Sequence, residues 1–130
     1  MIDIIMSKKP FILVIDTDQI LREKIAGLLS RREDVGIVSQ TSCITSLENG
    51  TSGFCPDLIL IGLRTFRGNR YITENTLSNA SIGVYVYGNA RKTTVERALM
   101  DSGIDGYVEI DELEETIHRL LEAFSHETTG

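Results

Sequence analysis

Asp57-Leu58-Ile59-Leu60-Ile61-Gly62 is the stretch on which the fold turns. Four consecutive large aliphatic residues stand between a Pro56-Asp57 entry and a glycine exit. Strict alternation would give a strand with one wet face. An unbroken apolar run gives a strand buried on both faces, as in a parallel sheet covered by helices. In such sheets ligands and chemistry collect outside the carboxyl ends of the strands. The residue at that end is Gly62, which has no side chain with which to react.

Outward from this strand the chain alternates. Phe11–Ile15 is a second continuous apolar run, ending in Asp16-Thr17-Asp18. Asp18 is placed to cap a helix that carries Leu21, Ile25, Leu28 and Leu29 at helical spacing. Val35–Ser39 reads as a shorter strand, and Thr41–Gly50 as a weak helix with Thr45 and Glu48 at capping-box spacing. Beyond the central strand, Arg64–Asn69 reads as a loop and Tyr71–Leu77 as a short helix. Gly83–Tyr87 is a strand rich in β-branched and aromatic residues. Thr93 and Glu96 form a capping box for a helix carrying Val95, Ala98 and Leu99 and stopped by Gly103. Gly106–Ile110 is the last strand. Asp111 caps the last helix, whose buried stripe is Leu113, Ile117, Leu120, Leu121 and Phe124. The pattern predicts an α/β fold: a flavodoxin-like, doubly wound five-stranded parallel sheet in the order 2-1-3-4-5. One domain spans residues 10–124, with a loosely held tail at 1–9 and a polar tail or linker start at 125–130.

Composition narrows the function. The chain has 130 residues, 42% hydrophobic and 25% charged, as in a soluble globular domain. Its net charge of −6 argues against this domain gripping nucleic acid, which needs a basic stripe. Cys43 and Cys55 are too few for a disulfide framework and read as small buried hydrophobes, so the expected home is the cytoplasm. No apolar run has the length of a signal peptide core or a membrane span.

Three segments resemble a response-regulator receiver domain of the CheY type. They are Ile12-Leu13-Val14-Ile15-Asp16, Pro56-Asp57-Leu58-Ile59-Leu60-Ile61, and Ala98-Leu99-Met100-Asp101-Ser102-Gly103-Ile104-Asp105-Gly106-Tyr107. The resemblance covers about Pro10–Phe124. It implies a two-component or phosphorelay role, with phosphorylation of an aspartate ending the third strand. It also implies Mg²⁺ held by acids after the first strand, a Thr or Ser after the fourth, and a Lys after the fifth. Carried over residue by residue, the phosphoacceptor position falls on Gly62, the hydroxyl on Gly88 and the lysine on Ile110. Of the acidic pair Asp16 is kept, its neighbour is Thr17, and Asp18 lies one place further on. Tyr107 keeps the position of the switch aromatic. Without a carboxylate at 62 or a cation at 110, phosphoryl chemistry of the family's kind has neither nucleophile nor electrostatic support. The chain therefore reads as a degenerate pseudo-receiver, with no catalytic residue, bound metal or cofactor.

Other readings of the same residues stand beside it. Asp16-x-Asp18 after a buried strand is also how haloacid-dehalogenase-like phosphatases begin, with one Asp as nucleophile and the other as acid/base. The Lys and acidic partners such enzymes need would fall on Lys92 and Asp111, which sit poorly. Arg64, Arg67 and Arg70 could neutralise the acids, hold a partner, or bind an anion in an altered pocket, unless they are simply solvated. Tyr85, Tyr87 and Tyr107 could present an aromatic face or pack in the core. His118 reads as a surface residue of the last helix, and His126 lies in the tail. The sequence favours a non-enzymatic module acting through protein–protein contact. Self-pairing would use the family's fourth-helix, fifth-strand and fifth-helix face, here Thr93–Phe124, with no direct nucleic-acid or membrane contact.

Overall fold

A computed structural model describes residues 9–43, 56–69, 80–99 and 102–129, with side chains through residue 125. The strands are β1 (Phe11–Ile15), β2 (Ile37–Thr41), β3 (Leu58–Gly62), β4 (Gly83–Gly88) and β5 (Gly106–Glu109). They form one parallel sheet in the order β2-β1-β3-β4-β5, as the apolar runs predict. The described helices are α1 (Gln19–Ser30), α2 (Leu63–Gly68), α3 (Lys92–Leu99) and α4 (Leu113–Thr129). A 3₁₀ turn at Ile110–Glu112 leads into α4.

Side chains alternate along each strand, so each apolar run supplies two cores. Ile12, Val14, Leu58 and Leu60 meet Ile25 and Leu29 of α1 and Ile117 and Leu121 of α4. Leu13, Ile15, Ile59 and Ile61 pack on the other face with Phe66 of α2 and Val95 and Leu99 of α3. All five residues of β3 are buried, which explains why that run is unbroken. At the amino end of the sheet the buried Asp57 joins three strands. Its carboxylate accepts the Phe11 N–H (2.9 Å) and the Ser81 hydroxyl (2.8 Å), and its carbonyl accepts the Ile82 N–H (2.7 Å).

Several expected boundaries shift. The second strand starts at Ile37, not Val35, because Phe11 pairs with Ile37 and Val35 is drawn into the core beside α1. Thr41 belongs to that strand; the rest of the Thr41–Gly50 helix beyond residue 43 lies outside the described residues, as does Tyr71–Leu77. Arg64–Asn69 is not a loop: α2 begins directly after Gly62 and buries Thr65 and Phe66. Helix α3 starts at Lys92, so Thr93 is within it, and Ala98 faces outward. Gly103 takes φ +80, a left-handed conformation suited to glycine, while the described part of α3 ends at Leu99 and residues 100–101 lie outside the described residues. The last strand ends at Glu109, which places Ile110 and Asp111 in the 3₁₀ turn, so Asp111 is not the cap of α4. Helix α4 continues to Thr129, through most of the expected 125–130 tail. Cys43 is exposed, not a buried hydrophobe; Cys55 lies outside the described residues.

Candidate functional site

Parallel pairing brings the carboxyl ends of β1, β3 and β4 side by side, and with them Asp16, Gly62 and Gly88. Asp16 directly follows β1 and is only 3% exposed. Its backbone is fixed at both ends: its N–H donates to the Thr41 carbonyl (3.1 Å), and its own carbonyl accepts Arg22 Nη1 (2.9 Å). The carboxylate is equally committed. Oδ2 accepts the Tyr87 hydroxyl at 2.6 Å, and Oδ1 accepts the Asp18 N–H at 2.9 Å. The Thr65 hydroxyl, 3.5 Å from Oδ1, accepts the Thr17 N–H at 2.9 Å. A buried carboxylate needs such donors to offset the loss of water.

Gly62 makes this arrangement possible. Its φ of −63 is open to any residue, so glycine is not needed for the backbone. It is needed for space, because a Cβ there would lie 2.6 Å from Asp16 Oδ2. The Asp16 carboxylate thus occupies the room that a side chain at position 62 would require. Tyr87 completes the filling. It is fully buried, and its phenol is pushed far above the usual tyrosine range, first by burial and then by donating to Asp16. Tyr87 therefore remains a neutral donor.

Gly88 follows the same logic. A Cβ there would come within 3.0 Å of Leu63 Cβ and of the Tyr107 hydroxyl. Tyr107 is buried and donates to the Ala90 carbonyl at 2.8 Å. Burial pushes its phenol up as well, helped by the negative charge of Glu109. The three tyrosines do not form a common aromatic face: Tyr85 and Tyr87 share one side of the sheet, while Tyr107 packs on the other.

Above these residues lies an open cleft of about 630 Å³, which Asp16, Asp18, Gly62, Arg64, Arg67 and Ile110 help to line. Arg64 and Arg67 are exposed on α2 and, among the described residues, make no ion pair; Arg70 lies outside them. Asp18 Oδ1 caps α1 by accepting the Leu21 N–H at 3.1 Å. Lys92 lies 3.7 Å from Glu96, and Asp111 lines a separate hollow with Arg32 and His118. His118 is exposed, near Arg32 and Glu122. The phosphatase constellation is therefore not assembled around Asp16. The residues present do not fit Mg²⁺ either. That ion needs several uncommitted oxygens, but both Asp16 oxygens already accept hydrogen bonds, Asp18 uses one of its two to cap α1, and Gly62 has no side-chain oxygen. Among the described residues no group of three potential ligands could hold a metal.

Sequence reasoning placed Tyr87 in an aromatic face or the core and missed its bond to Asp16, and it missed Thr65 altogether. The only hint was a glycine where a carboxylate was expected, and nothing local shows that a phenol 71 positions from Asp16 closes the gap.

No family model matches the chain, and no curated protein matches it. Solved structures do. A LuxR-family two-component response regulator from Aurantimonas sp. SI85-9A1 superimposes with a TM-score of 0.68 at 18% identity, over 89% of this chain and 87% of that one. RcsB from Salmonella enterica serovar Typhimurium, bound to promoter rprA in the presence of phosphomimetic BeF3-, gives 0.67 at 18% identity. It covers 94% of this chain, which spans only 63% of the RcsB chain. The pilus assembly protein CpaE from Caulobacter crescentus CB15 gives 0.61 at 15% identity, over 88% of this chain and 92% of that one. These likenesses establish the fold, that of response-regulator receivers. No described helix is long and apolar enough to cross a membrane.

Proposed function

We propose that this chain is a non-enzymatic, cytoplasmic signalling module that acts through protein–protein contact without aspartyl phosphorylation. The observation that carries the proposal is the seating of the Asp16 carboxylate beneath Gly62, bonded to Tyr87 at 2.6 Å. Acyl-phosphate chemistry needs a nucleophilic carboxylate, a metal and a fixed cation around the phosphoryl oxygens. Here position 62 has no carboxylate, Asp16 is engaged, and Ile110 supplies an apolar wall in place of a cation. A phosphatase attacking through Asp16 would first have to break its bond to Tyr87.

The contact surface in this reading is the Thr93–Phe124 face, built from α3, the edge strand β5 and α4, and the first partner is a second copy of the chain. Arg97 and Arg119 are exposed there together with Glu112 and Glu115, with Lys92 at its border, a mixed pattern suited to an isologous interface. RcsB is described on a promoter, and by analogy an attached DNA-binding segment would be the element such pairing regulates.

The test is an amide NMR titration with Mg²⁺ and beryllofluoride, with light scattering on the same sample at high concentration. The expected result is no saturable shift at Asp16, Gly62 or Tyr107, and a mass of two chains. Saturable shifts centred on Asp16 and Asp18 would overturn phosphorylation independence; a strict monomer would remove the pairing.

A further inference from the structure

We infer that the cleft above Gly62 binds a small organic anion, one with a carboxylate or phosphate head and an apolar body. The inference rests on the reading above in one respect, the commitment of Asp16 to Tyr87. Among the described residues four charged side chains line the cleft, two acidic and two basic, and they differ in how they are engaged. Asp16 has donors on both carboxylate oxygens, and Asp18 caps α1 with Oδ1. Arg64 and Arg67 are one helical turn apart, so they lie on the same side of α2. Neither makes an ion pair among the described residues. Both Asp16 oxygens and one Asp18 oxygen are thus taken up by the protein's own donors, while among the described residues neither guanidinium group is ion-paired. Guanidinium forks match carboxylate and phosphate oxygens in geometry as well as charge.

The rest of the lining determines the body of the ligand. Leu21, Leu63, Ala90 and Ile110 all border the cleft, and each is only half-buried. Ile110 stands where the resemblance places a lysine, so a cationic wall is replaced by an apolar one. A solvated pair of arginines needs no such wall, whereas a ligand with a hydrophobic portion would cover it. The cleft volume of about 630 Å³ is that of a small-molecule site.

The experiment is a set of amide NMR titrations of the whole chain with phenylphosphate, benzoate and inorganic phosphate. We expect saturable shifts at Gly62–Gly68, Asn89 and Ala90 with at least one aromatic anion, and affinity about tenfold weaker or worse for inorganic phosphate. The stronger of phenylphosphate and benzoate identifies the head group. Arg64→Gln with Arg67→Gln should weaken binding about tenfold or more, and both residues are exposed, so folding is preserved. Non-saturating shifts, or equal affinity in the double variant, would overturn the site. Inorganic phosphate binding as tightly as phenylphosphate would overturn the apolar body. Beryllofluoride reports on Asp16 and the aromatic anions on Arg64 and Arg67. Shifts at Asp16 with beryllofluoride, alongside arginine-dependent anion binding, would remove phosphorylation independence and keep the ligand site.

Discussion

The two ends of the sheet each hold a buried aspartate and use it differently. At the amino end, Asp57 takes a main-chain N–H from β1 and a hydroxyl just ahead of β4, so it ties strand entries together. At the carboxyl end, Asp16 takes one main-chain N–H but relies also on a phenol from β4, reaching across the strand that carries Gly62. The first arrangement joins groups at neighbouring strand entries, a main-chain N–H and the Ser81 hydroxyl. The second depends on two particular residues, a glycine that leaves room and a tyrosine that fills it. A polar group at a strand's carboxyl end can therefore be structural, even where the fold usually places chemistry.

Substitutions can break this contrast, and the largest effect should come from Gly62→Asp. Its Cβ would meet Asp16 Oδ2 at 2.6 Å and set two carboxylates side by side at the floor of the cleft. We expect a loss of about 3–5 kcal/mol in urea unfolding. Adding Asp16→Ala should recover part of it, with a coupling of at least about 1 kcal/mol. A single variant that unfolds at the wild-type midpoint would show that Asp16 is not held in place.

Tyr87→Phe should come next, costing about 1–3 kcal/mol because Asp16 Oδ2 loses its side-chain donor. The pH dependence has a definite sign. The Tyr87 phenol is raised in the folded protein above its ordinary 10.0, by burial first and by Asp16 second. A group raised on folding contributes stability that is complete below its unfolded pKa and declines as pH rises past it. The wild-type advantage over Tyr87→Phe should therefore be constant from neutral pH to about pH 10 and shrink above it, read from urea midpoints across that range.

Asp57→Asn should be the mildest of the three, about 1 kcal/mol, since the amide oxygen can still accept the Phe11 N–H. Faster hydrogen exchange at that amide with little change in the urea midpoint is the expected signature. A larger loss than Tyr87→Phe would reverse the ranking of the two ends.

What could be read from the sequence follows from how local each signal is. Strands β1 and β3 were legible because burial on both faces leaves an uninterrupted aliphatic run. Strand β2 is an edge strand with Ile37 and Gln40 exposed, so its pattern is weak and its start was placed two residues early. Helix α2 was read as a loop because Arg64, Arg67 and Gly68 mask the burial of Thr65 and Phe66. Gly62, Gly88 and Ile110, which the resemblance sets against a carboxylate, a hydroxyl and a lysine, were visible as single letters. What occupies the vacated space was not, because Tyr87 reads locally as one more strand aromatic.

The tight approach of Gly62 to Asp16 also bears on how such a site can change over generations. A single codon change giving aspartate at position 62 would enter a place already filled, so the first step towards a phosphoacceptor lowers stability before it can add a function. Relocating Asp16 first would leave the buried Tyr87 hydroxyl without its acceptor. Each single step is expected to cost stability, so the two positions would have to change together.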